Sequence, residues 1–205
     1  MSPSSKVQQE SWQFAHFRRW NVYGRRKSPA LPYHDQPQCL HSLPRQAGEN
    51  VMSVEQAYNF RPIDEAVATS GLLSEEQLAE LAASGYEAVI NLLPKESEYA
   101  IKSEEEIVVG QGIDYRYIPV DFANPAEQDY SAFVQAMKSC QGRKVLIHCA
   151  ANYRVSAFYA MYAYEHLGWP ASRAREHIES IWRPDEHPPW GRFVARVLSA
   201  RGAES

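Results

Sequence analysis

Disulfide chemistry is the first thing this sequence lacks. It has only three cysteines, Cys39, Cys140 and Cys149, in 205 residues. Three cannot build a disulfide framework, and the odd count fits a reducing compartment such as the cytoplasm. Strong charge of one sign is missing as well. The net formal charge of −4 argues against nucleic acid as the partner. A membrane span is missing too. Near the candidate site described below, the longest run without a charge or break is Val155 to Tyr164, far short of the ~20 residues that cross a bilayer. No apolar core of a secretory signal is found at the start, and no internal repeat occurs. What remains, 44% hydrophobic and 22% charged residues, is ordinary globular composition. It excludes a collagen-like, wholly disordered or disulfide-stapled chain.

Charge divides the chain. Residues 1–50 carry seven Lys or Arg against three Asp or Glu, and the rest carries fourteen against twenty-two. Residues 1–51 show no sustained helical or strand period, and they hold Pro29, Pro32, Pro37, Pro44 and the basic cluster Arg25-Arg26-Lys27. This basic extension is open to several readings. It can be a tail with little fixed structure, although Trp12, Phe14, Phe17, Trp20 and Tyr23 would then be free to dock on the domain or a partner. It can be an Arg-rich targeting peptide. Or it can lie upstream of a natural start at Met52.

Residues 52–205 read as one domain. Ala57 to Ile63 predicts a short strand. Ser74-Glu75-Glu76-Gln77 is a capping box, with Leu78, Leu81 and Ala82 as the apolar face of its helix and Gly85 as its stop. Glu87 to Leu93 predicts a strand buried on both faces. Ser97 to Val109 predicts a helix, with Glu104-Glu105-Glu106 as a solvated face. Tyr115 to Asp121 predicts a strand. Asn124-Pro125-Ala126-Glu127 opens a helix whose inner face is Ala132, Phe133, Ala136 and Met137. Lys144 to His148 is the last clear strand. Such alternation predicts an α/β fold, a mostly parallel central sheet flanked by helices. In such sheets ligands sit beyond the carboxyl ends of the strands, which puts forward Asp121 and Cys149.

The segment around Cys149 carries the chemistry. A buried strand delivers Cys149, the loop Ala150-Ala151-Asn152-Tyr153 follows, and a helix opens at Arg154, Val155 and Ser156. Free N–H groups and partial positive charge at a helix start stabilise a thiolate aimed there and cradle an anion. Arg154 is unfavourable at that end of a helix on its own account, and favourable if its guanidinium grips an oxyanion. Ser156 is placed to donate a hydrogen bond to the thiolate, and His148 to hold the loop. Against this stands the plain alternative that Cys149 is a small core residue.

The run HCAANYRVS, with the upstream INL and IPVD strands, resembles the cysteine-dependent protein tyrosine and dual-specificity phosphatases. Within them it is similar to the small bacterial phosphatase-like proteins related to the domain fused to NAD kinase and to the beta-lactamase-hydrolase-like phosphatases. The resemblance covers roughly residues 54–195. It implies a tyrosine-phosphatase-like fold with a loop that binds phosphate through backbone N–H groups of Ala150 to Arg154. It also implies a phosphoester hydrolase. Cys149 would be the nucleophile, Arg154 the oxyanion clamp, Asp121 the acid for the leaving group, and Ser156 would assist the thiolate. Such chemistry needs no metal or other cofactor, and its substrate would be a phosphorylated protein or a small phosphoester. Glu127 and Asp129 are reserve acids, although Glu127 is better explained as part of the helix cap.

The pattern also departs from that superfamily. There, five residues separate Cys from Arg, and Ser or Thr follows; here four separate Cys149 from Arg154, and Val155 holds the arginine position while Ser156 keeps the hydroxyl position. The loop glycine is missing, and Asn152 is the residue able to supply a left-handed conformation. The shorter loop matches rhodanese-like sulfurtransferases, a second reading. A third is a phosphate- or phosphoprotein-binding module without turnover. Glu176, His177, Asp185, Glu186 and His187 read as a solvated loop in preference to a metal cluster. Gly110-Gln-Gly112 lacks the further glycine of a dinucleotide turn, and Trp169, Trp182 and Trp190 read as anchors of the last helices.

Overall fold

The computed structural model describes residues 52–199. The expectations about residues 1–51 lie outside them. The chain opens with a single 3-10 turn at Val54–Gln56. Then follow β1 (Arg61–Pro62), β2 (Val67–Ser70), α1 (Glu75–Ala79), β3 (Ala88–Asn91), α2 (Glu104–Val109) and β4 (Asp114–Tyr117). α3 (Glu127–Ser139), β5 (Val145–His148), α4 (Tyr153–His166), α5 (Ala171–Glu179) and α6 (Pro188–Ser199) complete it.

The strands form one sheet in the order β1-β2-β5-β3-β4, antiparallel only at β1 and parallel elsewhere. The fold is therefore the expected α/β arrangement. β5 is central: His148 lies in register with Ser70 on one side and Asn91 on the other. All four residues of β3 and of β5 are buried. On one face Val89 and Leu146 join Leu78, Leu81, Val108 and Ile113 in a core under α1 and α2. The alternate residues Ile90 and Ile147 are fully buried on the other face. There α4 packs against β2 and against α5 and α6. Eleven residues of α4 are buried, from Arg154 to Tyr164. It is a central helix, apolar nearly all round and covered by neighbours on every side.

Local chemistry explains where the elements stop. Ser74 and Gln77 form the expected capping box: Gln77 N–H donates to Ser74 Oγ at 3.2 Å, and Ser74 N–H to Gln77 Oε1 at 2.9 Å. Several boundaries differ from the sequence expectations. The strand expected over Ala57–Ile63 is reduced to β1, because the Val54–Gln56 turn and left-handed Asn59 (φ 49°) precede it. β2 carries no alternation that separates it from a loop in the sequence. The helix expected from Ser97 begins only at Glu104. Residues 97–103 are turns, in which Ser97 N–H bonds Pro94 O, Ala100 N–H bonds Ser97 O and Tyr99 N–H bonds Ser97 Oγ. β4 ends at Tyr117, short of Asp121; Pro119, with no N–H, cannot continue the ladder. α3 starts at Glu127 with Ala126 as its N-cap residue, and Asn124 is not the cap. Asp129 Oδ2 accepts a long bond from Ala126 N–H, 3.4 Å. Glu127 pairs instead with Arg196 at 2.6 Å.

Candidate active site

The junction from β5 into α4 is fixed from below and from the side. Cys149 N–H donates to Ser70 O (3.3 Å), and Leu72 N–H to Ala150 O (3.1 Å). Gly71, between them, has no room for a side chain: a Cβ there would meet Ala150 O at 2.8 Å and Tyr58 O at 2.9 Å. Asn59 Nδ2 donates to Ala151 O at 3.1 Å. Asn152 takes the left-handed conformation foreseen for it, φ 64°. Its side-chain amide donates to Asn59 O at 2.8 Å and Thr69 Oγ1 at 3.0 Å. A left-handed residue followed by helical ones turns successive N–H groups toward one side, the geometry of an anion nest. The first amide of the junction to be taken up within the helix is that of Ser156, which donates to Asn152 O at 2.9 Å. Among the described residues, the N–H groups of Ala150, Ala151, Tyr153, Arg154 and Val155 have no hydrogen-bond acceptor.

The side chains around this junction divide sharply. Cys149 is fully buried. Arg154 is buried as well, its Nε donating to Val120 O at 2.9 Å and its guanidinium standing 5.3 Å from the Phe122 ring centre. Its Nη groups make no hydrogen bond among the described residues, yet they are not sealed from solvent. Tyr153 stacks on Trp182, centroids 4.8 Å apart and planes 5° apart. Burial pushes the Tyr153 phenol up, and Tyr58, Cys149 and Glu186 nearby push it further.

Ser156 does not take the part expected of it. Its single proton goes to Tyr153 O at 3.0 Å, and its oxygen accepts from Trp182 Nε1 at 3.1 Å. The hydroxyl is spent on holding the helix start and Trp182, so it has no proton to offer a thiolate. Asp121 lies on the exposed turn after Val120. Its Oδ1 accepts from Ala123 N–H at 2.9 Å and its carbonyl from Asn124 N–H at 3.2 Å. The carboxyl thus closes its own turn. Oδ2 has no hydrogen bond among the described residues.

Beneath the junction lies a network the sequence did not disclose. Glu104, expected on a solvated face, is buried, because the short α2 turns its first residue inward under the sheet. Its Oε1 meets His148 Nε2 at 2.9 Å, Asn91 Nδ2 at 2.7 Å and Tyr115 OH at 2.8 Å. Burial raises the carboxyl, but the charge and hydrogen bond of His148 and the bonds from Tyr115 and Asn91 outweigh it. They hold Glu104 below the usual carboxylate range. An ionised carboxylate offers no proton, so Nε2 of His148 carries the hydrogen in that bond. Nδ1 is buried without a partner. The polar Asn91 inside the apolar run EAVINLL was the one sequence signal of this network; the three consecutive glutamates gave none.

His177 and His187 are not in a solvated loop. Each packs on aromatic rings, His177 on Trp169 and Tyr159, His187 on Phe122 and Trp182. Among the described residues no group of three or more His, Cys, Asp or Glu is arranged to hold a metal ion, and no helix is long and apolar enough to cross a membrane.

No family model matches the chain. A crystal structure named "Putative phosphatase (DUF442)" from Shewanella putrefaciens CN-32 is 33% identical; the match covers 74% of this chain and 98% of that one, TM-score 0.65. The Pseudomonas aeruginosa protein TpbA shares the fold at 16% identity, with 70% and 90% covered and TM-score 0.55. A beta-lactamase hydrolase-like protein of Xylella fastidiosa is 29% identical over 102 residues, 48% of this chain. That match spans only 23% of the curated relative's length.

Proposed function

The chain belongs to the DUF442 family, and from that premise we propose that it is a phosphoester hydrolase working through a cysteinyl-phosphate at Cys149. One observation carries the reading: at the carboxyl end of the central strand, consecutive backbone N–H groups have no acceptor beside a buried arginine whose Nη groups are free. Leaving several donors unpaired at a buried junction costs free energy, on the order of 1 kcal/mol or more each once water is excluded. A bound oxyanion removes that cost. The name of the Shewanella relative points the same way.

The steps follow from the groups present. The Cys149 thiolate attacks phosphorus, the S–P bond forms and the bond to the leaving oxygen breaks. Charge on the equatorial oxygens is taken up by the junction amides and the Arg154 Nη groups. Asp121 protonates the leaving oxygen. Because Ala123 N–H holds Oδ1 as an acceptor, the acid's proton belongs on Oδ2. The resulting carboxylate then takes a proton from water, which attacks phosphorus, releases phosphate and restores the thiolate. Cys149 lies at the floor, so substrate phosphorus must enter the junction to reach it, which favours a slender phosphoester end over a broad one.

The test is turnover of an aryl phosphate by the purified protein. Cys149→Ser abolishes it; hydrolysis that persists in this variant refutes the cysteine mechanism. Thiocyanate formation from thiosulfate and cyanide, without hydrolysis, would assign the chain to sulfur transfer instead. Phosphate binding without either activity would make it a binding module. No substrate partner beyond a phosphorylated protein or small phosphoester is implied.

A further inference from the structure

We propose that Trp190, on the C-terminal helix α6, is a positioning residue that presets the Asp121 loop, so that the loop is a fixed part of the site and not a closing lid. The inference rests on Asp121 being the acid. Asp121 sits between two carbonyls, and a buried side chain grips each of them. Arg154 Nε donates to Val120 O at 2.9 Å, and Trp190 Nε1 donates to Phe122 O at 2.8 Å.

Trp190 is fully buried and Phe122 nearly so. Their rings lie 5.6 Å apart, and Trp190 also packs on Phe158 (5.7 Å) and Trp182 (5.8 Å). Both clamps therefore come from packed helices, α4 and α6. The loop's own backbone adds Val120 N–H to Leu92 O at 3.2 Å and Asn124 N–H to Asp121 O at 3.2 Å. A segment tied to the sheet, to α4 and to α6 cannot swing without breaking buried hydrogen bonds, each costing roughly 1–3 kcal/mol when a partner is stranded. Trp190 touches no reacting atom; it acts through Phe122 on where the Asp121 carboxyl stands.

The experiment compares two substrates on the same preparation. Dinitrophenyl phosphate, whose leaving group needs no proton, serves as one, and plain phenyl phosphate, whose leaving group does, as the other. Trp190→Phe keeps an aromatic ring in the core and removes the indole N–H together with its five-membered ring. It lowers kcat/KM for phenyl phosphate about tenfold more than for dinitrophenyl phosphate, a fraction of the ~10²–10⁴ a placed acid contributes. A partly unfolded sample lowers both equally, so the ratio reads position and not stability. Asp121→Asn shows the same selectivity in larger measure. If Asp121→Asn loses both substrates alike, the acid assignment fails. If Asp121→Asn is selective and Trp190→Phe is not, the positioning role alone is overturned. A second measurement needs no variant. Amide relaxation dispersion over residues 120–124 of the wild type, with and without inorganic phosphate, is flat for a preset loop. Millisecond exchange there that phosphate suppresses would show a lid and overturn the proposal.

Discussion

The floor and the mouth of the site obey opposite rules. Below the end of β5, polar groups are paired with one another: one oxygen of Glu104 meets His148, Asn91 and Tyr115, and Asn91 Oδ1 accepts from Leu93 N–H at 2.7 Å. Above it, from Ala150 to Val155, most amides have no acceptor. Both regions are buried and one residue apart in sequence. A folded chain saturates buried donors wherever it can. Local failure to do so is therefore informative: structure accounts for the floor, whereas the unpaired amides of the mouth fit the oxyanion proposed for it. The boundary is marked by His148 Nδ1 and Asn152 Oδ1, two buried atoms without partners.

The largest effect expected is on the floor. Glu104→Ala strands His148, Asn91 and Tyr115 in a dry interior and lowers unfolding free energy by about 3–5 kcal/mol, measured by urea unfolding. A loss under about 1 kcal/mol would mean the network is not paired as described. The mouth should respond in the opposite sense. Arg154→Ala lowers kcat on aryl phosphates by about 10²–10³-fold. It also removes the rise in Tm produced by inorganic phosphate, while stability without phosphate falls by only about 1 kcal/mol, the worth of the bond to Val120 O. Equal damage to stability in both variants would erase the distinction.

Acid separates the buried His177 from the floor carboxylate. Burial, with Arg61 and Arg173 nearby, lowers His177 to about 4. In the unfolded chain it titrates near 6.5. Between these values the unfolded state binds more protons, so the stability this residue lends is complete above about 6.5 and is lost as pH falls toward 4. Glu104, also depressed, lends stability that is complete above its unfolded value and disappears at still lower pH. Tm should thus decline in two stages on acidification, and His177→Phe should remove the first alone. A Tm independent of pH from 7 to 4 would contradict the His177 assignment, and a Tm that falls no further below pH 4 would contradict that of Glu104.

Much of this was legible in the sequence, and what was missed has a physical pattern. β3 and β5 were readable because burial on both faces leaves an apolar run, and α1 because its cap is local chemistry between Ser74 and Gln77. The β5-to-α4 junction that carries Cys149 and Arg154 was readable because a buried apolar strand running into a helix start is a local pattern. β2 was not, since a four-residue strand joins the sheet through the partner it finds. Glu104 differs from its expectation because its partner His148 stands 44 residues away, whereas the Ser156 proton is taken locally by Tyr153 O. Periodicity reports which way a residue faces, and tertiary contacts decide what it meets. Asp121 shows the converse, because the turn it caps is closed by its near neighbour Ala123.

The most direct test of Cys149 as the nucleophile is to trap the intermediate. Asp121→Asn, in which hydrolysis of the intermediate is slowed, is mixed with dinitrophenyl phosphate, quenched in acid within a turnover and mapped by mass spectrometry. The account predicts phosphate on Cys149 and on neither Cys39 nor Cys140. Steady hydrolysis with no phosphate on Cys149 at any quench time would contradict it.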